Sequence, residues 1–161
     1  MAASSKITIL EDDSTILGLY RKAFTNAGFL VEAHDNAEGI VEKVAQFKPD
    51  IVITDLLMPK IDGYETIRYL QSDSRTKMIP VAVISNLGDY ISQQKSAYLG
   101  AVDFIIKSNF TPAALVLRVR DVIAGKVPRL VVDPKMVDTF RAEERARAEH
   151  ELLTPEEKQY I

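Results

Sequence analysis

The sequence predicts an α/β fold built on a parallel five-stranded sheet with helices on both faces. Short apolar runs alternate with longer segments in which apolar residues recur every three or four positions, and this pair of patterns occurs five times over residues 6–125. The connections are short. Strict alternation of this kind produces a parallel sheet with right-handed crossovers and two covering layers of helices.

The five predicted strands are short and rich in β-branched residues. They cover residues 6–10, 29–33, 51–53, 80–84 and 101–106. The third is apolar at every position, as expected for a strand that helices cover on both faces. Among doubly wound sheets the strand order 2-1-3-4-5 suits five strands. The predicted fold is therefore the flavodoxin-like sheet with five helices, and residues 126–161 follow it as a helical tail.

Capping and helix-ending residues delimit the five helices. Side chains that accept hydrogen bonds from the first free N–H groups favour helix starts at Asp13 or Ser14, at Asn36 and at Thr111. The third helix opens at Gly63, and the fourth covers residues 90–99. Residues that end or interrupt helices follow four of the segments, namely Gly28, Pro49, Gly100 and Gly125.

Composition excludes several classes of function. The chain of 161 residues has no cysteine, which rules out disulfides, thiolate metal sites and a cysteine nucleophile. No apolar run approaches the roughly 20 residues that a membrane span needs. The first six residues lack the apolar core of a signal peptide. We therefore expect a cytoplasmic protein with no membrane contact, and the net charge of −3 argues weakly against nucleic-acid binding.

Polar side chains follow four of the five strands, which the predicted order places side by side. They are Glu11 and Asp12, Asp55, Ser85 and Lys107. Three close carboxylates repel one another and need a cation or raised pKa values. Oxygen ligands without cysteine or a histidine pair favour Mg²⁺. Each residue alone is most often a cap or a surface charge, but their joint occurrence indicates a phosphoryl acceptor site.

Over residues 6–125 these features resemble the receiver domain of bacterial two-component response regulators, including the chemotaxis type. That family has an acidic pair after the first strand, D-x-x-M-P-x-x-D-G after the third, Ser or Thr after the fourth, and an aromatic residue and a lysine on the fifth. The matching residues here are Glu11-Asp12, Asp55, Met58-Pro59, Asp62-Gly63, Ser85, Phe104 and Lys107. The resemblance implies a domain boundary near residue 125, with residues 1–125 as receiver and 126–161 as linker and helical extension.

The resemblance also implies a role for each part of the site. Asp55 would accept a phosphoryl group from a sensor histidine kinase. Asp12, Asp55 and the backbone carbonyl of Leu57 would ligate Mg²⁺, and Glu11 would act through water.

The remaining family residues would respond to that phosphoryl group. Ser85 and Lys107 would bind it. Phe104 would swing inward and remodel the face formed by the fourth helix, fifth strand and fifth helix. That change would permit partner binding or homodimerisation.

Two features depart from the family pattern. The proline that usually follows the lysine is Ser108, so either the Lys107–Ser108 bond is cis or the loop differs. Leu57 and Leu87 lie two residues after Asp55 and Ser85. We expect these apolar side chains, beside the path of the attacking water, to slow hydrolysis of a phospho-aspartate.

The tail has two helix starts, an Asp-Pro pair at 133–134 and Leu-Thr-Pro-Glu-Glu at 153–157. This order resembles the linker and opening of the four-helix DNA-binding domain that many response regulators carry. The tail would be a truncated linker, an independent helical extension, a dimerising helix or a solvated, partly disordered segment. It has no basic run, so we expect no direct nucleic-acid binding by this chain.

Three other functions compete with a phosphorylation switch that is not a turnover enzyme. A phosphate-independent pseudo-receiver would use the same fold only for protein contacts. A phosphatase or hydrolase with Asp55 as nucleophile would want a general acid two residues on, where Leu57 stands. A flavin or nucleotide domain would want glycines where residues 11–13 are acidic.

Overall fold

The computed structural model describes residues 3–159 and divides into two compact units. The first ends at Val131 and the second begins at Val132. Across the described residues, no helix combines the length and the apolar character that crossing a membrane would need.

The first unit contains a parallel sheet in the order β2-β1-β3-β4-β5. Its strands are β1 (Lys6–Leu10), β2 (Leu30–His34), β3 (Ile51–Thr54), β4 (Val81–Ser85) and β5 (Asp103–Ile106). The predicted strand number, order and direction are confirmed. Several strand ends lie one or two residues from the predicted positions.

Five helices follow the five strands, as predicted. They are α1 (Ser14–Asn26), α2 (Ile40–Phe47), α3 (Gly63–Ser72), α4 (Tyr90–Leu99) and α5 (Pro112–Ile123). Asp13 caps α1 by accepting hydrogen bonds from two backbone N–H groups, and Thr111 caps α5 by accepting one from the N–H of Ala114. The cap residues predicted for these two helices are therefore confirmed.

The start of α2 was predicted wrongly. Asn36 does not cap this helix, because its side chain instead accepts a hydrogen bond from the N–H of Glu38 in a local turn. Asn often stabilises turns by bonding to the backbone two residues on. The helix begins only at Ile40, after Gly39 has taken the left-handed conformation with φ 65°.

Two apolar cores lie on the two faces of the sheet. Alternate residues of a strand point to opposite faces, so Ile51 and Ile53 enter one core while Val52 enters the other. The first core includes side chains of α1 and α5, and the second includes side chains of α2 and α3. The middle strands are therefore covered on both sides, which makes them a rigid support for residues at their ends.

Helix α4 has a weakly apolar inner face, because the residues that it buries fully are serines whose hydroxyls bond within the helix and its cap, while Leu99 packs partly buried against the second core. Its buried residues are Ser92 and Ser96. The Ser96 hydroxyl donates to the Ser92 carbonyl at 2.8 Å, and the Ser92 hydroxyl donates to Asp89 at 2.6 Å. Because little apolar surface fixes α4, this helix can shift at lower cost than α1 or α5.

The second unit contains α6 (Pro134–Leu152) and α7 (Pro155–Lys158). Both helix starts predicted in the tail are confirmed. Thr154 and Glu157 form a reciprocal capping box at the start of α7. Within α6, Arg147 pairs with Glu144 and Glu151 on neighbouring turns.

Two buried threonines allow a matched test of hydrogen bonding in the sheet. Both side chains have 0% exposure. The Thr8 hydroxyl has no partner among residues 3–159, whereas that of Thr54 donates to the Asp55 carbonyl at 3.0 Å. We predict that Thr8→Val raises the free energy of unfolding by about 1 kcal/mol, because it removes an unpaired buried hydroxyl.

The matched variant Thr54→Val should lower the free energy of unfolding by about 1 kcal/mol, because it removes a satisfied bond. Urea denaturation of both variants measures the difference. Changes of the same sign would contradict the prediction.

Candidate functional site

The acidic site forms where β1 and β3 end side by side. Leu10 of β1 and Thr54 of β3 are paired in register, so Glu11 and Asp55 follow at the same edge of the sheet. The N–H of Asp55 donates to the Leu10 carbonyl at 3.0 Å and fixes this position. Strand pairing alone therefore brings these two carboxylates together from positions 44 residues apart in sequence (55 − 11 = 44).

Asp12 completes a cluster of three carboxylates. One oxygen from each of Glu11, Asp12 and Asp55 lies within 4.8 Å of the others. Glu11 and Asp55 are buried, whereas Asp12 is exposed and its carboxylate makes no hydrogen bond within residues 3–159. The cluster thus has two buried carboxylates, and the third, that of Asp12, faces solvent.

Lys107, directly after β5, supplies the positive charge of the site. Its ammonium lies 2.5 Å from Oδ2 of Asp55 and 3.0 and 2.9 Å from the two oxygens of Glu11. The side chains of Lys107, Glu11 and Asp55 are only 11%, 1% and 8% exposed, so water screens these contacts little. One ammonium therefore bridges both buried carboxylates.

The backbone at Lys107 resolves the alternatives that Ser108 left open. Every peptide bond among the described residues is trans, including Lys107–Ser108. Residues Lys107–Asn109 form one turn of 3₁₀ helix instead. The loop therefore differs from the pattern with proline, and the lysine still reaches Asp55.

The two buried partners have perturbed pKa values. Burial, opposed by the hydrogen bond from Lys107 and reinforced by the carboxylate of Asp55, raises the pKa of Glu11 to about 7. Burial works against the charge on Lys107, but its hydrogen bonds to Asp55 and Glu11 outweigh burial and raise the pKa of its ammonium. The lysine therefore stays charged while Glu11 gains and loses its proton near neutral pH.

Ser85 and Phe104 lie on the two strands beyond Asp55. Ser85 is buried at the end of β4, paired in register with Ile106, and its Oγ accepts a hydrogen bond from the N–H of Leu87 at 3.1 Å. Its hydroxyl proton remains available to a ligand. Phe104 is half-buried on the edge strand β5 and packs against the core on the α2 and α3 side.

The loop after Asp55 is held close to the start of α3 by a glycine. The N–H of Gly63 donates to the Leu56 carbonyl at 2.9 Å, and a Cβ at position 63 would lie only 2.7 Å from the Leu56 Cα. Any side chain here would push the loop away. The Asp-Gly pair thus has a structural role that its spacing alone did not reveal, since Asp62 also caps α3.

The sequence also failed to indicate that Tyr20 belongs near the site. Its place on α1, in the same core as Leu17 and Phe24, indicates only a packing role. Its ring does lie in the core, but the charges of Lys107, Glu11 and Asp55 act on its phenol. The sequence signal for this position is that a core site carries a tyrosine, whose hydroxyl a leucine of similar size would lack.

The donor set of the cluster suits Mg²⁺. All the side-chain ligands are carboxylate oxygens, the atoms that this hard cation prefers. Lys107 occupies Oδ2 of Asp55, while Oδ1 accepts only a long hydrogen bond of 3.3 Å from the Leu57 N–H. Oδ1 and the free carboxylate of Asp12 therefore remain available to a cation.

Comparisons with known proteins agree with this arrangement. The sequence model of the response regulator receiver domain matches residues 7–120. The transcriptional regulatory protein CusR of Escherichia coli K12 is 30% identical over 118 residues, which are 73% of this chain and 51% of that protein. The chain spans about half the length of the curated relatives it matches.

Solved structures show the same fold. The receiver domain of a signal transduction histidine kinase from Syntrophus aciditrophicus is 30% identical, with a TM-score of 0.67, covering 76% of this chain and 92% of that one. The chemotaxis response regulator CheY4 of Vibrio cholerae has a TM-score of 0.68 at 22% identity, covering 74% of this chain and 98% of that one.

The raised pKa of Glu11 predicts a pH-dependent affinity for Mg²⁺. Below its pKa of about 7 the carboxyl is protonated, and a cation must displace that proton. We expect the affinity to rise by up to about tenfold per pH unit on approach to pH 7 and to level off above it. Titration calorimetry at several pH values measures this slope.

The control for this prediction is Glu11→Gln, which should remove the slope near pH 7. A wild-type affinity that stays constant from acidic to mildly alkaline pH would contradict it.

Proposed function

The chain belongs to the response regulator receiver family, and on that premise we propose that it is a phosphorylation-dependent switch of a two-component system. Its phosphoacceptor is Asp55 and its phosphodonor is a sensor histidine kinase. The observation that carries the proposal is the contact between Asp55 and the Lys107 ammonium within a cluster of three carboxylates. We assign residues 1–125 to the receiver domain and 126–161 to a linker and helical extension, acting in the cytoplasm.

Phosphoryl transfer to Asp55 exchanges one bond to phosphorus for another. A carboxylate oxygen of Asp55 bonds to phosphorus while the bond from phosphorus to the kinase imidazole breaks, and the electron pair stays on that nitrogen. Asp12, Asp55 and the Leu57 carbonyl would hold Mg²⁺, with Glu11 acting through water. When bound, the cation neutralises charge on the transferring group.

Two side chains would bind the phosphoryl group once it is on Asp55. Lys107 already donates to Oδ2 and can follow the new dianion with a charge-assisted bond. Ser85 has a free hydroxyl proton at the end of the neighbouring strand. These bonds form only in the phosphorylated state and therefore bias the elements that carry the two residues.

The responding elements are those with the weakest attachment. The residues that α4 buries fully are serines, and Phe104 on the edge strand β5 is only half-buried. Movement of both would alter the face formed by α4, β5 and α5, where a partner or a second copy would bind. On this face Arg118 is already held by Asp103 through two hydrogen bonds of 2.8 and 2.9 Å.

Two alternatives fit the site less well. Burying Lys107 between two carboxylates costs desolvation free energy. A pseudo-receiver, which binds no phosphoryl group, would have no need of this arrangement. A hydrolase would need a general acid near Asp55, and the residue two positions on is Leu57, which is 62% exposed and cannot donate a proton. We therefore propose a phosphoacceptor switch and not an enzyme that turns over a substrate.

Mass spectrometry with a small phosphodonor and Mg²⁺ tests the phosphoacceptor. We predict a mass increase of one phosphoryl group in the wild type and none in Asp55→Asn. Asp35→Asn is the control, because Asp35 is exposed and follows β2, away from the cluster. A wild type that gains no phosphoryl group from a donor or a kinase would favour the pseudo-receiver.

The lifetime of the phosphorylated state depends on the exposed leucines beside Asp55. Leu57 and Leu87 cannot orient a water molecule for attack, so we predict slow loss of the phosphoryl group. Leu57→Asn should speed hydrolysis on the order of tenfold, because an amide can position water. Leu117→Asn on α5, with a similarly exposed leucine, should have no effect. A wild-type lifetime of seconds would be inconsistent with this explanation.

A further inference from the structure

One aromatic contact links α4 to the start of α3. The ammonium of Lys95 on α4 lies over the ring of Tyr64 on α3, 4.5 Å from the ring centroid. A cation within about 6 Å of the face of an aromatic ring is attracted by the negative charge density of that face. Both side chains are half-buried, so water screens this attraction only in part.

The Tyr64 ring has a fixed position relative to the phosphoacceptor. Tyr64 is the second residue of α3 and directly follows Gly63. The N–H of Gly63 donates to the Leu56 carbonyl at 2.9 Å, and a Cβ at position 63 would lie only 2.3 Å from the Asp55 carbonyl oxygen. The ring itself packs against the second core. Close backbone packing therefore ties this tyrosine to Asp55.

The same ring meets the first two turns of α4, and apolar packing supports the last one. Burial raises the pKa of the Tyr64 phenol, and a hydrogen bond with Ser92 of α4 opposes that rise. Lys95 lies one turn further along the helix. Leu99, which packs against the second core, is the last residue of α4. The position of the first half of α4 therefore depends on Tyr64.

We propose that Tyr64 is a latch that holds α4 in its resting position, and that switching must break its contact with Lys95. The inference rests on the proposed function and specifies which contact sets the free-energy cost of switching. In that function α4 moves after phosphorylation, while Asp55 and the start of α3 stay in place. The ring and the ammonium then separate, so their contact stabilises only the unphosphorylated state.

Linkage fixes the direction in which the latch acts on ligand binding. A contact that exists only in the resting state lowers the fraction of molecules that are in the switched state. The apparent affinity of any group that binds the switched state falls by the same factor. Removal of the latch should therefore raise that affinity, whereas mere loss of packing near the site would lower it.

Beryllofluoride, which mimics a phosphoryl group on Asp55, gives an equilibrium test of the latch. We expect Tyr64→Leu and Lys95→Met each to bind it, in the presence of Mg²⁺, about two- to fivefold more tightly than the wild type, the value of one cation–π contact. The double variant should bind no more tightly than either single variant, because both changes remove one contact. Titration calorimetry of the full chain measures all four affinities.

Lys6→Met is the matched control. The Lys6 ammonium lies 5.3 Å from the centroid of the Phe47 ring, and this contact links β1 to α2 without involving α4. Its removal should leave the affinity for beryllofluoride at the wild-type value. Should Tyr64→Leu fail to fold, the comparison of Lys95→Met with this control still tests the latch.

The outcomes separate this inference from the proposed function. An unchanged or weaker affinity in Lys95→Met would overturn the latch while leaving Asp55 as the phosphoacceptor. A gain in the double variant equal to the product of the two single gains would also overturn it, because the residues would then act independently. A wild type that binds no beryllofluoride would overturn the proposed function itself, and this inference with it.

Discussion

The ammonium of Lys107, shared between the buried carboxylates of Glu11 and Asp55, is the interaction on which the rest of the site depends. Two carboxylates with almost no exposure cannot both ionise without a compensating charge. The lysine supplies it from a third strand, so the site exists only when β1, β3 and β5 are all in place. Burial raises the pKa of Glu11 despite the hydrogen bond from Lys107, so the ammonium does not fully offset the cost of ionising this carboxyl. The remaining negative charge is what would attract a divalent cation.

The fold divides into a rigid part that holds this charge cluster and a looser part beside it. Glu11 and Asp55 follow strands covered on both faces, and Gly63 packs the loop after Asp55 tightly against α3. By contrast, Phe104 lies on the edge strand and Lys107 directly follows it, and the residues that the neighbouring α4 buries fully are serines. A new charge on Asp55 would therefore act between a fixed acceptor and elements that can move.

The sequence predicted the sheet and the positions of the acidic, hydroxyl and lysine side chains because each is encoded locally, at the end of an apolar run. It failed where the outcome depends on competition or on distant contacts. Asn36 looked like a helix cap, but a local turn uses its side chain first. Ser108 left two loop conformations open. The role of Gly63, and the position of Tyr20 near the charges of Lys107, Glu11 and Asp55, depend on contacts between segments that no periodicity connects.

The most direct test of this account is the affinity for Mg²⁺ when the Lys107 charge is removed. If the ammonium and the cation compete for the same carboxylates, Lys107→Met should bind Mg²⁺ about tenfold more tightly than the wild type, because one repelling charge is gone. Titration calorimetry above pH 8, where Glu11 is ionised in the wild type, gives the comparison. An unchanged or weaker affinity would contradict the central role of Lys107 in the charge balance of the site.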